Sequence, residues 1–165
     1  MKQKELSILL RGIVALCALP WLLLAYAYGK TLVLCFLEPD YVLAPTALIC
    51  LMLALVLLAM IDAWLIFTRI GQNNSFCKAN ANALKRISLY ALTATGLDLL
   101  LIVYTIIHLG DPLVVGNILL HTTHYELLFL LFVAVGGVCA TIVTAALSHL
   151  TLKAASLQDE NDLTI

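Results

Sequence analysis

Charge is scarce in this chain. Only 12% of its 165 residues are Asp, Glu, Lys or Arg, against 63% hydrophobic. A soluble domain carries about a quarter of its residues as charges, so this chain has no room for a separate one. The net charge of −1 gives no bias toward nucleic acid. Cysteine pairing is lacking as well. Cys17, Cys35, Cys50, Cys77 and Cys139 are odd in number, scattered and never in a C-x-x-C motif. That excludes a disulfide framework and a thiol-redox pair, and leaves them as small apolar fillers of helix contacts. There is no Gly-rich phosphate loop, no Ser/His/Asp constellation and no pair of catalytic carboxylates at one depth. The expected protein is not an enzyme and needs no cofactor.

What the chain has is four apolar runs, at residues 8–28, 43–68, 87–109 and 127–152, each 21–26 residues long. A helix of about 20 residues crosses a hydrocarbon core ~30 Å thick. The expected fold is therefore an all-α integral membrane protein. Residues 1–165 form one four-span domain, an antiparallel up-down bundle, followed by an acidic cytoplasmic tail at 153–165. Lys2, Lys4, Arg11, Arg69, Lys78, Lys85, Arg86 and Lys153 fall on one side and only Lys30 on the other. The positive-inside rule then puts both termini and the middle loop in the cytoplasm. Lys2 and Lys4 with Ala25-Tyr26-Ala27 imitate a signal peptide. The apolar core exceeds the usual 7–15 residues and carries bulky Trp21 to Leu24 near the would-be site, which favours a retained span.

Pro20 should kink the first span, and Trp21, Tyr26 and Tyr28 form an aromatic outer end. Gly71 reads as a helix C-cap, and Asn74 or Ser75 as the N-cap of the next helix. The outer loop 110–126 is partly apolar and reads as holding a short interfacial helix, with Asn117 and His121 on its polar side. In the fourth span Gly136, Ala140, Thr144 and Ser148 recur every fourth residue, with Gly137, Thr141 and Ala145 beside them. Small residues at this spacing mark a close helix–helix contact, with another span or a second copy of the chain.

Asp62 and Asp98 are the acids within spans. A carboxylate near the bilayer centre costs about 2.5–3.5 kcal/mol by insertion scales. Each is read first as a neutral or hydrogen-bonded structural group. Asp62 is placed to meet Arg11 or the start of span three, and Asp98 to meet Thr93, Thr95, Tyr104 or Thr141. The functional alternative is a small transporter or channel component using both. His121-x-x-His124 with Glu126 is the nearest approach to a metal site, but it lacks a fourth ligand, and solvated loop residues are the simpler reading. In the tail, Leu157, Leu163 and Ile165 flank Asp159, Glu160, Asn161 and Asp162. Apolar anchors around an acidic middle suit docking to a basic partner.

The ending Leu157 to Ile165, with Glu160-Asn161-Asp162-Leu163-Thr164-Ile165, and the loop positions Gly71, Phe76, Asn80 and Leu84 carry a resemblance. In these segments and its four-span plan the chain resembles the bacterial membrane proteins grouped as domain of unknown function 2975. Members commonly have Ser or Thr after the Phe, where Cys77 stands here. No activity defines that family. The resemblance implies an inner-membrane protein beside a small Xre-type helix-turn-helix regulator, which it would hold at the membrane without touching DNA itself. The partner-binding residues so implied are Gly71, Phe76, Asn80, Leu84, Leu157 and Asp159 to Ile165. The remaining alternative is a structural subunit of a membrane complex, docked through the small-residue face of span four.

Overall fold

The computed structural model describes residues 3–37, 42–109, 112–115, 118–121 and 124–162. Side chains are described for all of these except 112–115, 118–121, 124, 159, 161 and 162. Within them lie four helices long and apolar enough to cross a membrane. They are α1 (Gln3–Leu37), α2 (Leu43–Gly71), α3 (Lys78–Ile107) and α4 (His124–Asp162), with strands β1 (Pro112–Val115) and β2 (Ile118–His121) between the last two.

The helices outrun the apolar segments. At ~1.5 Å per residue α1 is about 52 Å long and α4 about 58 Å, well beyond a ~30 Å core. α1 continues past Tyr28 because 32–37 are again apolar and the Thr31 hydroxyl donates back to Ala27 O (3.0 Å), within the helix. Lys30, expected in a loop, is therefore a helical residue. α4 carries the acidic segment in its last turns, through Asp162, so that part of the tail is helical. Leu163, Thr164 and Ile165 lie outside the described residues, as do the side chains of Asp159, Asn161 and Asp162.

The loop after α3 forms a β-hairpin and not the expected helix. Pro112 pairs with His121, Leu113 with Leu120, Val114 with Leu119 and Val115 with Ile118 in antiparallel register. Val114, Val115 and Ile118 are β-branched, which favours the pleated state, and Gly116-Asn117 is a turn-type dipeptide. Asn117 itself is outside the described residues.

Extensive contacts join chain neighbours, α1 to α2, α2 to α3 and α3 to α4. The side-chain fastenings show how. Ser7 donates to Phe67 O (2.6 Å) and Trp21 Nε1 to Leu53 O (3.0 Å), joining α1 to α2. Trp21 is thus a tie between helices. Ser88 donates to Thr141 O (3.1 Å) and Ser148 to Ala81 O (2.7 Å), joining α3 to α4. α3 is the least apolar helix and the most buried. That inversion is the membrane rule: small and polar residues meet other helices, while large apolar ones face lipid.

From Ala134 onward the buried or half-buried positions of α4 are Ala134, Gly137, Thr141, Thr144, Ser148, Thr151, Ala154 and Ala155, which apart from Ala154 alternate by three and four. Gly136 and Ala140, expected on this seam, are exposed. A step of four residues rotates about 40° beyond a full turn, so a strict every-fourth stripe winds off the contact line. Alternating three and four stays on it. The partner of the seam is α3. A Cβ at Gly137 would overlap the Thr95 hydroxyl, whereas one at Gly136 would meet nothing.

Gly71 shows the same economy at the α1–α2 contact. A Cβ there would sit 2.7 Å from Ser7 Oγ and 3.0 Å from Ser7 Cβ, and Ser7 is fully buried. Gly71→Ala should therefore break the Ser7–Phe67 bond and destabilise the protein by about 1–2 kcal/mol. Adding Ser7→Gly should restore much of the gap between the two helices. Thermal unfolding of the three proteins in detergent micelles checks this; an unchanged midpoint for Gly71→Ala would contradict it.

Candidate functional site

Two places combine unusual chemistry with defined geometry. The first is the α2–α3 turn, the basic end, flanked by Arg69, Lys78, Lys85 and Arg86. α2 closes with Gln72 N donating to Arg69 O (3.1 Å), Asn73 N to Ile70 O (3.1 Å) and Asn74 N to Arg69 O (3.0 Å). The left-handed residue is Asn73 (φ 60°), a role that glycine or asparagine fills. Gly71 is the last helical residue, so its lack of a side chain serves the contact with Ser7 and not the cap.

α3 begins at an N-cap that differs from the one expected. Cys77 holds it in extended conformation with no side-chain capping bond, and its carbonyl accepts from Asn80 N (3.0 Å) and Ala81 N (3.2 Å). Asn74 and Ser75 contribute carbonyls instead. Asn80 Nδ2 donates to Asn74 O (3.2 Å) and Ser75 O (2.9 Å), while its Oδ1 accepts from Arg69 Nη1 (3.3 Å). Two carbonyls only accept and a guanidinium only donates, so one amide orientation satisfies all three. Asn80 is buried and holds the loop to the first turn of α3. Of the four loop residues in the resemblance, Gly71 and Asn80 are engaged within the fold, Leu84 is half-buried, and Phe76 is 59% exposed. At the far end of α4, Leu157 is 55% exposed.

Next to the loop, Arg86 makes a two-pronged pair with Asp62, Nε to Oδ2 at 2.9 Å and Nη2 to Oδ1 at 2.5 Å. Asp62 thus takes its partner from the start of α3. Arg11 lies over the Trp64 ring, 5.9 Å from its centroid, and donates to Ser7 O (3.4 Å).

The second place is around Asp98. It is 1% exposed, and neither carboxylate oxygen has a hydrogen-bond partner. The partners expected from sequence are occupied elsewhere or do not reach it. Thr93 donates to Leu89 O, Thr95 to Ala91 O and Thr141 to Gly137 O. Threonine in an apolar helix satisfies its hydroxyl on the preceding turn, which removes it as a donor to a neighbour. Asp98 instead lines a cavity of about 700 Å³ bounded by all four helices. On α3 the lining runs from Asp98 to Thr105, and on α4 from Val133 back to Tyr125, so Asp98 is at one end of the space. Glu126 lines it too. His121 falls on β2 and His124 opens α4, with side chains outside the described residues, so the His121–His124–Glu126 set is not described. Among the described residues no three metal-ligating side chains come together.

Asp62 and Asp98 do not share a site. Asp62 is held at Arg86, twelve residues or about 18 Å along α3 from Asp98. Sequence reasoning identified both acids by their cost in a bilayer, but had no signal for which one is partnered.

The model of a family described as "Protein of unknown function (DUF2975)" matches residues 17–165. No curated protein and no solved structure matches the chain.

Proposed function

The chain belongs to the DUF2975 family, and from that premise we propose that it is a non-enzymatic protein of the bacterial inner membrane that holds a cytoplasmic partner at its basic end. In this reading the four spans run up and down antiparallel, with both termini cytoplasmic. The helix ties support the alternation, since the low-numbered end of one helix meets the high-numbered end of its neighbour: Ser7 with Phe67, Arg86 with Asp62, Ala81 with Ser148. Arg69, Lys78, Lys85, Arg86 and Lys153 at one end support the orientation.

The observation that carries the reading is Phe76. A large exposed aromatic on a loop held rigid by Asn80 is a pre-ordered anchor, because little conformational entropy remains to be lost on docking. In the sequence, Leu157 and the acidic residues that follow it also suit a basic partner. A small Xre-type helix-turn-helix regulator has that chemistry.

The test is co-purification with the neighbouring gene's product. Binding should fall at least tenfold in Phe76→Ser and on deleting residues 159–165, with the protein still inserted and folded. Unchanged capture by both variants would reject the reading. The cavity at Asp98 favours a second reading, a small transporter or channel component. Engagement of Asp62 with Arg86 counts against a relay that joins the two acids.

A further inference from the structure

We propose that the cavity ended by Asp98 binds a lipophilic organic monocation, a compact positive group carried on an apolar body. This goes beyond partner docking at the basic end and uses a different part of the molecule.

Three observations converge on that chemistry. First, the space is of ligand size, about 700 Å³, within the usual ~300–1,000 Å³ of small-molecule sites, and its walls are mostly apolar. Leu101, Ile49, Leu53 and Leu130 would cover a hydrocarbon body. Second, a carboxylate with both oxygens buried and unpartnered lines this space. A buried charge needs a counter-charge or a proton, and a buried polar group needs partners. Third, among the described residues no cationic side chain lines the cavity. The other titratable groups lining the cavity are Tyr28, Tyr104, Tyr125 and Glu126, all neutral or acidic, and Arg86 is committed to Asp62.

A cationic ligand would supply the missing counter-charge in place of a proton, which Asp98 gives up to solvent on binding. A hard metal ion is a poor fit, since it takes about six oxygens and these walls offer few. An anion would face two carboxylates. An organic cation gains the Asp98 charge, apolar burial of its body, and the aromatic walls of Tyr28, Tyr104, Tyr125 and Phe129, whose ring faces attract cations.

The experiment uses the full chain in lipid nanodiscs, with empty nanodiscs as the partition control. Tetraphenylphosphonium, the smaller benzyltrimethylammonium, and the anion tetraphenylborate, matched in shape to the first, are measured by equilibrium dialysis. At least one cation should bind saturably at one per chain, and tetraphenylborate should only partition. Asp98→Asn, which removes a buried charge and should leave the helices intact by circular dichroism, should weaken the cation at least tenfold. Leu130→Trp, which fills the cavity and keeps the carboxylate, should weaken it as well. Saturable binding of neither cation, affinity unchanged by Asp98→Asn, or equal binding of the anion would each overturn the proposal. A lipid chain as the true occupant would show as binding insensitive to Asp98→Asn.

Discussion

Arg86→Met should lower stability by about 3 kcal/mol, because it leaves the Asp62 carboxylate buried without a counter-charge. The two partners are unequally placed. The Asp62 side chain is 8% exposed and that of Arg86 49%. A stranded Asp62 has no route to water, whereas a stranded Arg86 can turn its long side chain toward the headgroups. The expected value is at the low end for broken buried pairs because half of Arg86 is already solvated. Asp62→Leu should accordingly cost less, about 1 kcal/mol, and the double variant should resemble Asp62→Leu alone. Unfolding of all four proteins in one detergent closes the double-mutant cycle. Equal losses in the two single variants would show that burial does not set the asymmetry.

The second large effect is expected at Asn80. Asn80→Ala removes the donor from Asn74 O and Ser75 O and the acceptor from Arg69, at about 2–3 kcal/mol for the three bonds. Asn80→Asp is the sharper test. It matches the amide in shape and keeps an acceptor for Arg69, but its ionised oxygens cannot donate to two carbonyls and would repel them. Both variants should release the backbone of residues 72–77, read as faster amide exchange there with little change in the middle of α2. If the loop keeps its protection in Asn80→Asp, the amide is not what orders it. Under the proposed function the two variants should also weaken partner capture, since Phe76 would lose its fixed position.

Some of this was legible in the residues and some was not. The spans could be read because each run is longer than a bilayer requires, whatever it packs against. The hairpin at Pro112–His121 was missed because a short apolar run has no period that separates strand from helix. The α2–α3 turn was read as a Gly C-cap followed by an Asn or Ser N-cap, both sound by residue preference. Asn73 and Cys77 took those roles because Gly71 is needed where α1 approaches and Asn80 reaches back from α3. Local preference loses wherever a contact from another helix is worth more than a few tenths of a kcal/mol.

The sequence alone determined that four helices long and apolar enough to cross a membrane form, and that two carboxylates lie within them. These follow from length, hydrophobicity and charge, which act along a single chain segment. The family's loop and tail residues were also recognisable there. Only the tertiary structure decided which acid is satisfied and which seam of α4 carries the contact. Asp62 and Arg86 are 24 residues apart in the chain and meet only because α2 and α3 pack together. Asp98, on the same helix as Arg86, lines a cavity without a partner, since the threonines near it bond to their own helices and no cation among the described residues lines the space. Pairing and vacancy are properties of how helices meet in three dimensions, and no segment of sequence holds them.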